Sequence, residues 1–137
     1  MHIVLQVLFL SLFSLSSLHG IEFKEVKIIK LKKDKQKKIL VNYGTHSKLF
    51  TMRWTLYKND GLVVFHSYDK FVFQNILYLR YKNQFFKQEL KSRGGDIHNT
   101  PYLLVKFEEF NYETREASFK LLLSDSQAQM NLNYLKD

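Results

Sequence analysis

The chain has 137 residues, of which 45% are hydrophobic and 15% aromatic, enough apolar material for one core and too much for wholesale disorder. It contains no cysteine, which excludes disulfides, zinc ribbons, thiol redox chemistry and a lipidated N-terminal cysteine. A formal charge of +8, from 21 Lys and Arg against 13 Asp and Glu, favours polyanionic partners, although a Lys-rich and Ala-poor composition is equally the background of an AT-rich genome.

Residues 3–13 are nearly all apolar, and Ser14, Ser16, Ser17 and Gly20 follow where a peptidase could cut. Residues 1–20 therefore read as a signal peptide, forming an N-terminal signal helix and sending the remainder to a periplasm or outside the cell. The competing reading is an uncleaved membrane anchor over residues 3–18, shorter than the roughly 20 residues that span a bilayer. Residues 21–137 are read as a single β-rich domain.

Period-two alternation dominates that domain, with turn residues at short intervals. The runs 21–31 and 37–43 predict a hairpin whose tip is the basic stretch Lys32–Gln36. In 50–56, Phe50, Met52, Trp54 and Leu56 are expected on one face and Thr51, Arg53 and Thr55 on the other. Asn59-Asp60-Gly61 then separates this run from Leu62–Phe65, which is a strong hairpin signal. Residues 70–81 and 85–91 predict a further hairpin, turning at 82–84, and the apolar stretch 71–81 reads as a central strand covered on both sides. Pro101, the only proline, follows the turn-rich loop 92–100 and stands just before a strand. A last hairpin is expected from 102–110 and 116–123, and the tail 126–135 fits a final strand or a short helix. The whole predicts an all-β fold, a single antiparallel β-sandwich or a small meander barrel of seven to nine strands.

The stretches Tyr102–Phe110 and Ala117–Asp125 resemble the last hairpin of periplasmic auxiliary lipoproteins of lipid-transport ABC systems. The resemblance covers under a fifth of the chain, carries no diagnostic motif and lacks the lipidated cysteine of those proteins.

Chemistry-bearing patterns are sparse. His46, His66 and His98 share no metal-ligand spacing and read as surface or turn residues. No nucleophile elbow or phosphate-binding glycine loop is present, and the adjacent Glu108 and Glu109 would point to opposite faces of a strand. The expectation is a protein that is not an enzyme and needs no metal or cofactor. The best-defined surface feature is Lys30, Lys32, Lys33, Lys35, Lys37 and Lys38, concentrated at one predicted hairpin tip and suited to an anionic surface. Arg53, Lys58, Lys70, Arg80 and Lys82 are candidates to extend it. The alternative role for these lysines is to guard strand edges against pairing. The expected partner is an envelope protein or an anionic lipid or glycolipid surface, with nucleic acid set aside because an exported protein rarely meets it. A barrel carrying an apolar ligand in the periplasm is the alternative function.

Overall fold

A computed structural model describes residues 23–91 and 99–136. The expected signal segment 1–20 and most of the glycine loop, with His98, lie outside the described residues. Nine strands run in order: β1 (Glu25–Lys32), β2 (Lys37–Tyr43), β3 (His46–Lys58), β4 (Gly61–Tyr68), β5 (Phe71–Tyr78), β6 (Phe85–Glu89), β7 (Tyr102–Asn111), β8 (Glu116–Ser124) and β9 (Asn131–Tyr134). They form two antiparallel sheets, β1-β8-β7-β6 and β5-β4-β3-β2-β9. The expectation of an all-β fold is met, and of its two branches the two-layer sandwich is the one that forms, not a single closed barrel.

Alternation explains the layers. Phe50, Met52 and Trp54 of β3, Ile39 and Val41 of β2, and Leu62 and Val64 of β4 point into the interior. There they meet Leu103, Val105 and Phe107 of β7 and Phe119, Leu121 and Leu123 of β8 in one contiguous cluster. Each large side chain so buried contributes about 1.5–3 kcal/mol. Trp54 also ties the layers together by polarity: its indole N–H donates to the Leu31 carbonyl at 2.7 Å, and its ring meets Phe110 edge-on at 5.7 Å. Tyr68 does the same on the other flank, its hydroxyl donating to the Leu90 carbonyl at 2.6 Å.

Two bulges shift the phase of alternation, one in β3 between Trp54 and Leu56 and one in β7 between Phe107 and Glu109. Leu56 is consequently turned out to solvent, 49% exposed, against the expected in-facing position. Tyr57 takes the inward place instead and stacks on Phe110 at 4.0 Å.

The β3–β4 hairpin closes through Asn59 and Asp60, both at positive φ (52° and 64°), the conformation a two-residue turn needs to match strand twist. Gly61 opens β4, where an added Cβ would meet the Tyr78 ring at 2.9–3.1 Å. Asp69 and Lys70 make a second turn of this kind between β4 and β5. The β7–β8 hairpin also forms as expected, and the tail supplies a strand, β9.

Two predicted hairpins do not form. Strand β1 pairs with β8, and β2 pairs with β3 and β9, so residues 33–36 are a corner between layers. The corner is pinned where Asp34, at φ 63°, donates its N–H to the Trp54 carbonyl at 2.9 Å. Likewise β5 and β6 lie in different sheets. The segment 71–81 is no central strand either: β5 is the outer strand of its sheet, and Phe71 and Val72 are each 69% exposed. A short polar connector fits both a hairpin and a corner, and two apolar faces do not say what covers them.

At the β1/β9 flank, Asp125 is buried and its carboxylate accepts the N–H groups of Gln129 (3.0 Å) and Met130 (2.7 Å). Lys24 reaches across to it at 3.4 Å and donates to the Met130 carbonyl at 2.7 Å. This clamp turns the chain from β8 into β9.

Candidate functional site

The corner at 33–36 gathers the lysines into a different arrangement from a hairpin tip. Strand β1 delivers Lys30 and Lys32, the corner delivers Lys35, and β2 delivers Lys38. All four side chains line one open concavity of about 520 Å³. A fifth comes from the far end of the chain: Lys136, placed there because β9 pairs with β2 and the Leu135 N–H extends that pairing to the Lys38 carbonyl at 3.0 Å. Leu31 and Leu135 are the apolar residues that line the concavity, and Glu116 of β8 is its one carboxylate among the described residues.

Among the described residues, none of these five ammonium groups has a hydrogen-bond or ion-pair partner. Each offers three donors and a full charge from an exposed position. Such a cradle suits an anion with several acceptor oxygens, above all a phosphate.

The other expected lysines fare unevenly. Lys33 is exposed in the corner but does not line the concavity. Lys37 is half-buried and directs its ammonium to the Leu135 carbonyl at 3.5 Å, a structural role. Arg53 pairs with Asp34 at 3.6 Å and lies over the Phe65 ring. Lys58, Lys70, Arg80 and Lys82 do not line the concavity, and Arg80 instead borders a tyrosine-lined hollow with Tyr57, Asp60, Tyr81 and Tyr112. In that hollow the Tyr57 and Tyr112 hydroxyls are 3.0 Å apart, and burial first, then that contact, pushes the Tyr57 phenol up to about 12. Lys136 was invisible to sequence reasoning, because only the β2–β9 pairing brings the tail beside the corner.

His66 departs from expectation. It is not a surface or turn residue but a buried one, 4% exposed, on the inner face of β4. It forms the middle plate of an aromatic stack that joins the layers, 3.9 Å from the Phe86 ring of β6 and 5.2 Å from the Phe73 ring of β5. Its Nε2 accepts from the Asn75 side-chain amide at 2.7 Å, so the single proton of the neutral ring sits on Nδ1. Burial drives the imidazole pKa down to about 4, against a smaller upward pull from the Gln88 side chain. Nδ1 and the Gln88 Oε1 are both buried without a hydrogen-bond partner. A neutral imidazole plate of this kind is an element of packing. His46 stands exposed at the start of β3, 5.4 Å from the Tyr43 ring.

Among the described residues there is no cluster of three or more His, Asp or Glu able to hold a metal ion. Comparison with known proteins adds no relative: no family model, no curated protein and no solved structure matches the chain. The lysine concavity is thus read on its own geometry.

Proposed function

We propose that this chain is an exported, non-enzymatic β-sandwich of the periplasm or the extracellular space that binds anionic groups of the cell envelope, such as lipid or glycolipid phosphates, in its lysine concavity. The observation that carries this reading is convergence: Lys30, Lys32, Lys35 and Lys38 of the β1–β2 stretch and Lys136 of the distant tail line one hollow with a single carboxylate among the described residues. Edge-guarding lysines would be spread along strand edges, facing outward and apart. The interior of the sandwich is occupied by the chain's own side chains, which favours a surface site over an enclosed apolar ligand.

Each basic residue near an acidic surface contributes about 1 kcal/mol. Replacing Lys32, Lys35 and Lys38 together by Ser is therefore expected to weaken binding to phosphatidylglycerol vesicles by about a hundredfold in a co-sedimentation assay. Binding by the unsubstituted protein should also fall as salt is raised, since the ammonium groups are exposed to screening. Equal retention of the two proteins by anionic vesicles, or equal binding to neutral phosphatidylcholine vesicles, would overturn the assignment.

A further inference from the structure

The flank of the sandwich opposite the lysine concavity carries a different surface. Strand β5, Phe71–Tyr78, is the outermost strand of the five-stranded sheet and, among the described residues, has β4 as its one hydrogen-bonded neighbour. None of its eight residues is charged, and Phe71, Val72, Phe73 and Ile76 are 44–69% exposed. The remaining three edges among the described residues are protected in the usual ways: β9 has four residues, β6 has five and carries Lys87, and β1 carries Lys27. Only β5 is long, uncharged and free of proline.

Its backbone is also poised for pairing. The Asp69–Lys70 turn closes on Tyr68 and Phe71, so the ladder to β4 uses Phe71, Phe73, Asn75 and Leu77. Val72, Gln74, Ile76 and Tyr78 consequently aim their N–H and C=O groups away from the sheet. The Tyr78 N–H finds the Asn83 carbonyl at 3.2 Å and the Ile76 carbonyl accepts from the Asn83 side-chain amide at 3.4 Å, which leaves Val72, Gln74 and the Ile76 N–H as the open stretch among the described residues.

We infer that β5 is the pairing edge of a homodimer, in which a second copy of this chain adds its own β5 antiparallel to the first and makes one continuous ten-stranded sheet. One feature selects a second copy over another occupant: the sequence of β5 is self-complementary about Gln74. A two-fold axis there sets Val72 against Ile76 and Ile76 against Val72 on the outer face, with Gln74 against Gln74 at the centre. On the inner face, the two Phe73 rings become diagonal neighbours.

The test is the mass of the purified protein by light scattering across a hundredfold range of concentration. The unsubstituted chain should run at twice its chain mass, and Val72→Lys with Ile76→Lys should run at the chain mass, because the two-fold then sets lysine against lysine. Both positions are exposed, so the thermal midpoint of the double variant reports whether it has folded. A cysteine-free chain permits a second reading: Gln74→Cys should form a covalent dimer under mild oxidation, and Thr114→Cys, in the β7–β8 turn, should not. A protein that stays monomeric throughout, a double-lysine variant that stays dimeric, or a Gln74→Cys chain that links no more than the Thr114→Cys control would each overturn the inference.

Discussion

Acidification should loosen this sandwich through His66. In the folded protein the imidazole titrates near 4, and in the unfolded chain near 6.5. Between those values the unfolded state binds the proton and the folded state does not, so stability is complete above about pH 6.5 and is lost as the pH falls towards 4. The full shift corresponds to about 3 kcal/mol at 1.36 kcal/mol per unit. About 2 kcal/mol of this is expected to be gone by pH 4.5, allowing for water in the open groove beside Phe73 and Gln88. Protonation also puts a hydrogen on Nε2 where the Asn75 amide already donates, which adds to the penalty. The assay is urea unfolding followed by Trp54 fluorescence at pH 7.5 and 4.5, for the unsubstituted chain and for His66→Phe. Phenylalanine preserves the stack on Phe86 and Phe73 and cannot titrate, and carboxylates that titrate in the same range cancel in the comparison. The unsubstituted protein should lose about 2 kcal/mol more than the variant between the two pH values. If both lose the same, the buried neutral imidazole is not what the acid attacks.

Gly61→Ala should destabilise by about 1–3 kcal/mol in the same assay, because its Cβ would lie 2.9–3.1 Å from the Tyr78 ring. Adding Tyr78→Ala should recover part of the loss, since the obstruction is that ring. Asp125→Ala leaves the Gln129 and Met130 N–H groups without their acceptor and should cost about 2–4 kcal/mol, with hydrogen exchange at β9 accelerated ahead of the rest of the sheet.

The sequence displayed the faces of the strands far better than their neighbours. Alternation in Phe50, Met52 and Trp54, and the two-residue turn before Gly61, are local facts written in adjacent residues. Whether β1 lies beside β2 or beside β8 depends on how a four-residue connector bends, and the contest is settled by Glu116–Leu123 far downstream. The same holds for the site. Five of its six expected lysines stay on the exposed surface around the corner, and four of them line the concavity. The sixth, Lys37, is drawn to the Leu135 carbonyl, and Lys136 joins through a pairing no local pattern announces. His66 was legible in principle, because it shares parity with Leu62, Val64 and Tyr68, but a histidine's polarity argued for the surface. β5 misled for a physical reason: apolar residues on both faces imply cover, and the cover need not come from the same chain.

Both ends of the described chain are held by strands distant in sequence: β1 by β8, and β2 by β9, so that Ile39 waits for Tyr134. Contacts of this span are slow to form, because a long loop must be closed before any of them is rewarded. The four-stranded sheet cannot be completed before β8 is made, nor the five-stranded sheet before β9. A chain with this topology emerges and travels as an open polymer and folds late. Such behaviour leaves β5 exposed to other chains during the interval before the sandwich closes.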